Sequence, residues 1–127
     1  MSVAINVTSI LEGLDEVEVV GTLTLSGNYT TGTGDPINFN ALQGVSSKNG
    51  RVFAVNGAAV PDYVSINPVQ GYNLEFQAGT NLSNGVLRLF SASGTEVGSV
   101  AYSSLSGAAL TNDTNIYFCA SFPKLIP

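Results

Sequence analysis

The stretch that decides the fold is Glu16-Val17-Glu18-Val19-Val20-Gly21-Thr22-Leu23-Thr24-Leu25. Successive side chains of a β-strand point to opposite faces of the sheet, so a period of two residues indicates a strand with one buried face. Here one face carries Val17, Val19, Gly21, Leu23 and Leu25. The other face carries Glu16, Glu18, Thr22 and Thr24, with Val20 as an apolar exception. The pattern predicts a half-buried strand of an antiparallel sheet.

The same period recurs along the rest of the chain. It appears at residues 3–7 and 72–77, and an apolar segment at 86–90 follows Asn84-Gly85, a dipeptide typical of hairpin turns. The segments on either side of that dipeptide are therefore predicted to pair antiparallel. Further strands are expected at residues 51–55, 63–66, 96–102 and 115–122. Helix is expected only as a short turn at 40–43, with Asn40 as its N-cap, and more weakly at 9–14.

Together these segments predict an all-β fold: an antiparallel β-sandwich or small β-barrel of about eight short strands, with at most one or two short helical turns. The 127 residues are expected to form a single β domain, residues 1–127, with residues 1–10 as an extended N-terminal arm. We predict the arm because a short alternating apolar segment is separated from the body by Glu12-Gly13. It would add a strand to the edge of another chain. Its predicted contact residues are Ser2, Val3, Ala4, Ile5, Asn6 and Val7.

The composition excludes several classes of function. Charged residues make up 10% of the chain, against about 25% in typical domains, and the net charge is −5. The only cations are Lys48, Arg51, Arg88 and Lys124, too few for a basic nucleic-acid-binding stripe. The absence of histidine excludes His-based catalysis. The sequence also has neither a long apolar run nor a signal-peptide pattern, so we expect no membrane span and no secretion signal.

Few residues suggest chemistry, and each has a simpler structural interpretation. The acidic group Glu12, Asp15, Glu16 and Glu18 offers ligands for calcium or a carboxylate pair, but it lies largely on the solvated face of a strand. Gly32-Thr33-Gly34-Asp35-Pro36 lacks the lysine and the following helix of a phosphate-binding loop and is predicted to be a turn. Cys119 is predicted to be a small, buried hydrophobic residue without a catalytic partner. We therefore predict no catalytic residue, no metal site and no cofactor, and we do not expect an enzyme.

The aromatic residues leave one alternative open. Tyr29, Tyr63 and Tyr102 lie near turn-rich segments. If their rings are exposed, they suit a sugar-binding platform or a protein contact, and if they are buried, they belong to the core.

From Asn67 onward the chain resembles the small proteins encoded beside the major capsid protein of tailed bacteriophages, the head decoration or capsid cement proteins. The residues that carry the resemblance are Asn67-Pro68-Val69-Gln70-Gly71-Tyr72-Asn73-Leu74-Glu75-Phe76 and Gly85-Val86-Leu87-Arg88-Leu89-Phe90-Ser91. The stretches at 20–25, 29–32 and 40–44 and the closing Ile116-Tyr117-Phe118-Cys119-Ala120-Ser121-Phe122-Pro123 are similar in layout.

The resemblance implies a structural virion protein that stabilises a capsid by binding the major capsid protein at inter-capsomer positions, as a homotrimer. Such a protein is made in the host cytoplasm and ends on the exterior of the capsid. It has no nucleic-acid or membrane partner, and the family offers no catalytic residues. The predicted arm would then join the shell or a neighbouring protomer, and deleting residues 2–7 is expected to weaken shell binding while the body stays folded. The alternatives are a β-sandwich carbohydrate-binding or host-adhesion module and a tail or head-completion protein.

Overall fold

The structure, a computed structural model, describes residues 3–69, 71–105, 110–111 and 116–124. These residues form short strands and single 3-10 turns, which confirms the predicted all-β class. The strands are β1 (Val3–Glu12), β2 (Glu16–Leu25), β3 (Asn28–Tyr29), β4 (Asp35–Ile37), β5 (Tyr63–Ile66), β6 (Tyr72–Gln77), β7 (Gly85–Ser91), β8 (Val100–Ala101) and β9 (Ile116–Pro123). The 3-10 turns include Phe39–Leu42 and Tyr102–Ser104.

The strands form antiparallel sheets. The largest sheet has the order β1-β2-β9-β5, a second has the order β4-β7-β6, and β3 pairs with β8. The predicted hairpin around Asn84-Gly85 is confirmed: β6 pairs with β7, with Tyr72 opposite Ser91 and Phe76 opposite Leu87. The long β2 strand lies between β1 and β9, and its side chains alternate between buried and more exposed positions, as the sequence pattern predicts.

The two larger sheets share one apolar core. Phe39, which follows β4, is fully buried, and its ring centroid lies 5.2 Å from that of Phe122 in β9 and 5.9 Å from that of Phe76 in β6. The ring of Phe53 lies 5.0 Å from that of Phe122 on the same side. Such edge-to-face contacts between aromatic rings stabilise the fold beyond the contribution of the apolar area that the rings bury. The inner face of β2 joins this core through Val17, Val19, Leu23 and Leu25.

The helical turn predicted at 9–14 is wrong, because β1 continues through Glu12. A β-bulge shifts the register between Val7 and Ser9, so that the buried positions change from odd to even residue numbers. Val3 is therefore buried before the bulge and Ile10 after it. This shift interrupts the two-residue period of the apolar side chains. The changed spacing is the reason that a helical turn was predicted at 9–14.

The strand predicted at residues 51–55 does not form, and the one predicted at 96–102 is shorter than expected. Residues 51–55 make only single bridges, Ser46 with Val52 and Val55 with Lys124. Within residues 96–102 only Val100–Ala101 is a strand, and Tyr102 begins a 3-10 turn. Strand β9 begins at Ile116, and Asn115 lies outside the described residues.

The predicted short turn near residue 40 forms, but its N-cap is Asn38 and not Asn40. The Asn38 side chain accepts a hydrogen bond from the backbone N–H of Asn40 at 3.0 Å. Asparagine is favoured at either position, so composition alone could not distinguish them.

Candidate functional site

The predicted arm lies in the main sheet. Val3 to Val7 pair with Leu25 to Gly21 of β2, so these residues form the first part of β1. Val3 is buried, Ile5 and Val7 are half-buried, and Ala4 and Asn6 are exposed. Ser2 lies outside the described residues. Addition of these residues to another chain stays a prediction, and the structure adds that β1 is an edge strand of its own sheet.

A groove runs beside the first half of β1. Its volume is about 320 Å³, and it lies between that strand and the segment that contains the Phe39–Leu42 turn. Among the described residues no charged side chain lines it. The lining residues are Val3, Ala4, Ile5, Val7, Asn38, Ala41, Leu42, Val45 and Ser46. Four of the six residues predicted to contact another chain therefore line one apolar depression, which we call the β1 groove.

Local hydrogen bonds hold the far wall of the β1 groove. The Gln43 side chain donates from Nε2 to the carbonyl of Val55 at 2.7 Å and accepts from the Val55 N–H at 3.2 Å. Gly44 adopts φ of +81°, a left-handed conformation that glycine adopts without steric cost. The wall is thus held by two hydrogen bonds of one side-chain amide, which we call the Gln43 clamp. It could not be recognised from sequence, because its partner is a main-chain group twelve residues away.

The opposite side of the main sheet is a second surface, which we call the outer face. It carries Leu11 of β1, Val20 of β2, Tyr117 and Cys119 of β9, and Tyr63 of β5, because these residues occupy the outward positions of four paired strands. The Tyr117 side chain is 54% exposed, and Leu11 and Tyr63 are also exposed. The outer face is therefore more apolar than the alternation of β2 alone predicted.

The single thiol belongs to the outer face and is not activated. The Cys119 Sγ lies 3.9 Å from the Tyr63 hydroxyl, which donates to Glu18 at 3.1 Å. Burial raises the pKa of Cys119, and the contacts with Cys119 and then Glu18 raise the pKa of Tyr63 to about 12. Both groups are therefore protonated near neutral pH, whereas a nucleophilic cysteine needs its thiolate form.

The acidic residues do not come together as a site. Glu12 pairs with Lys124 at 3.0 Å, Glu16 accepts from the Ser121 hydroxyl at 2.6 Å, and Glu18 accepts from Tyr63. In the part of the chain that the structure describes, no three such groups are placed to hold a metal ion. Each of these carboxylates instead forms its own hydrogen bond or ion pair with a nearby side chain, which agrees with their predicted place on a solvated strand face.

Two of the three tyrosines considered for a sugar platform are core residues. Tyr29 and Tyr102 are each 1% exposed, and their ring centroids lie 6.1 Å apart. The Tyr102 hydroxyl donates to buried Asp35. Tyr29, Tyr63 and Tyr102 therefore do not form a sugar-binding platform, because the rings of Tyr29 and Tyr102 are buried in the core and only Tyr63 is exposed.

Tyr29 anchors a polar network that the sequence did not reveal. Its hydroxyl donates to Glu96 Oε2 at 2.6 Å and accepts from the Leu89 N–H at 3.1 Å. Arg88 donates to both carboxylate oxygens of Glu96, at 2.7 and 3.1 Å, and the Gly32 N–H donates at 2.8 Å. Arg88 and then Tyr29 lower the pKa of Glu96 to about 2. The network joins β7 to the loop that contains Gly32, so its role is to stabilise the fold.

The fold and these surfaces define a small antiparallel β protein with an apolar groove, an aromatic outer face and few charges. Within the described residues no helix is long and apolar enough to cross a membrane. No protein-family model, curated protein or solved structure matches the chain.

Proposed function

We propose that this protein decorates and stabilises a bacteriophage capsid by binding the major capsid protein at inter-capsomer positions, as a homotrimer on the capsid exterior. The observation that supports this best is the β1 groove, an uncharged apolar depression beside an edge strand. Edge strands and apolar grooves are surfaces that other protein chains bind. The sequences of β6 and β7 resemble those of decoration proteins, and for this reason we propose the major capsid protein as the chain that binds.

The charge distribution is a second support. Two of the four cations are already engaged in ion pairs, Arg88 with Glu96 and Lys124 with Glu12. The surface is therefore suited to contacts through area and hydrogen bonds more than through charge. A structural protein in many copies needs no active site, and several weak contacts to one shell add up through effective concentration.

Quantitative mass spectrometry of purified virions tests the proposal. We expect a copy number comparable to that of the major capsid protein, together with co-sedimentation of the purified protein with shells stripped of it. Absence from virions would contradict the proposal. A copy number that fits one ring at a single vertex would instead support the tail or head-completion alternative.

A second candidate function, carbohydrate binding, is favoured by one observation. The exposed ring of Tyr117 borders a hollow of about 200 Å³ whose other lining residues include Ser65 and Asn67. An aromatic ring beside hydroxyl and amide groups is suited to stack on a sugar and hydrogen-bond to it. A glycan array with the wild type and Tyr117→Ala tests this. Binding that is lost in the variant would support it, and an array without any binding would count against it.

A further inference from the structure

The tip of the β1–β2 hairpin exposes a large apolar side chain. Leu14 is 95% exposed, far more than any other large apolar side chain among the described residues. The turn is closed by a hydrogen bond from the Gly13 N–H to the Glu16 carbonyl at 2.8 Å, which leaves Leu14 at its outer side. Exposed Asp15 follows it and takes part in no salt bridge with a described residue. Leu14 and Asp15 thus form an apolar projection with a negative charge beside it. The only cation at this tip among the described residues, Lys124, is held by Glu12 at 3.0 Å and by the Gly13 carbonyl at 3.1 Å.

The β1 groove has the complementary character. Its wall at Val45 and Ser46 continues into a turn closed by the Ser46–Val52 bridge, and that turn carries Lys48 and Arg51. Both cations are exposed, and within the described part of the chain neither belongs to a salt bridge. An apolar depression therefore lies next to two exposed positive charges of a protein whose net charge is −5, and one of them, Arg51, also attracts Glu12 of its own chain.

Leu14 cannot reach the β1 groove of its own chain. The groove is lined by residues up to Val7 of β1, whereas the hairpin tip follows Glu12 at the other end of the strand. The five residues between them span about 17 Å at about 3.4 Å per residue. The strand is paired along this length, so it cannot fold back.

We propose that Leu14 of one copy inserts into the β1 groove of a second copy, with Asp15 placed against Lys48 and Arg51. The two surfaces differ, so the contact is head-to-tail, and repeated contacts close into a ring if the rotation allows it. A single leucine buries little area, so each contact is weak and becomes effective when several copies lie together. The proposal deepens the proposed function and rests on it for the expectation of neighbouring copies. The β1 groove then joins the copies to each other, and the free edge of β1 and the outer face are left for the capsid protein.

Sedimentation velocity of the purified full chain over a range of concentrations tests the contact without any shells. We expect reversible association of the wild type, weakened about tenfold or more by Leu14→Asp and by Val45→Asp, since each removes apolar burial and places a charge in the contact. Tyr117→Asp is the matched control: Tyr117 is 54% exposed, lies on the outer face and belongs neither to the groove nor to the turn that carries the two cations. It should associate like the wild type.

A mixture of the two variants gives the sharpest test. Leu14→Asp keeps an intact groove and Val45→Asp keeps an intact projection, so their mixture should form a one-to-one dimer at concentrations at which each variant alone stays monomeric. Circular dichroism checks that all variants fold, which their exposed positions favour. A wild type that stays monomeric to about 1 mM, association that both variants retain, or a mixture without dimers would each overturn the proposal. Shell binding is measured separately, so its failure would concern the proposed function alone.

Discussion

Tyr29 shows how one hydroxyl group can stabilise this fold. It accepts from a buried backbone N–H of β7 and donates to Glu96, so Tyr29→Phe would leave Leu89 without its partner. Leaving a buried donor unsatisfied costs about 1–3 kcal/mol, and we expect the free energy of unfolding to fall by that amount in urea titrations. Tyr117→Phe is the control, because that hydroxyl bonds to no described residue and its side chain is exposed. Equal stability of the two variants would contradict the role of Tyr29.

The ion pair and hydrogen bonds of Glu96 predict that the folded protein loses stability in acid. Its pKa is lowered from 4.5 to about 2 in the folded protein, so its ionised form stabilises the fold. That contribution is complete above pH 4.5 and is lost as the pH falls through this range towards 2.

The matching experiment follows urea midpoints between neutral and acidic pH for the wild type, Glu96→Gln and Asp62→Asn. We expect Glu96→Gln to be less stable than the wild type at neutral pH and to approach it in acid. Asp62 is exposed and forms no ion pair with a described residue, so its substitution controls for the change in net charge. A constant difference between Glu96→Gln and the wild type across the pH range would refute the linkage.

At the scale of elements, the pairing of β1 with β2 depends on a close backbone approach at Gly21. A Cβ atom at this position would overlap the Asn6 carbonyl of β1 and lie 3.2 Å from the Phe118 ring. We expect Gly21→Ala to push β1 away from β2 and to speed amide hydrogen exchange along β1. Gly98→Ala is the control, since a Cβ there meets open space. Unchanged protection of β1 in Gly21→Ala would contradict this account.

Elements with an uninterrupted period were predictable from sequence, and those fixed by distant contacts were not. Strand β5 has the predicted bounds of residues 63–66, and the alternation of β2 identified its inner face. Because of the bulge near Thr8, the second half of β1 could not be recognised as a strand from the sequence, since an extra residue reverses which side chains face inward. The Gln43 clamp and the Arg88–Glu96 pair join residues separated in sequence, and local pattern carries no information about them.

The predicted arm illustrates the same limit at the candidate site. Its apolar residues were recognised, but the sequence could not say that they pair with β2 of the same chain. Deleting residues 2–7 would therefore uncover Leu23 and Leu25 and disturb the body, contrary to the expectation from sequence. Single substitutions such as Val45→Asp separate binding from folding more cleanly.

For the whole molecule, the low charge predicts that the proposed binding to shells depends little on salt. A contact held by ion pairs weakens as the Debye length shrinks from about 10 Å at 0.1 M to about 3 Å at 1 M salt. Here charged residues make up 10% of the chain, and the outer face exposes Leu11, Tyr63 and Tyr117, so apolar contact should dominate. The contact between copies adds little salt dependence of its own, because its pairing of Asp15 with Lys48 and Arg51 is exposed. We expect the fraction that co-sediments with stripped shells to be nearly constant over this range, with shells alone as the control for salt damage. A severalfold loss at high salt would mean that charge, and not neutral surface, holds the protein on its partner.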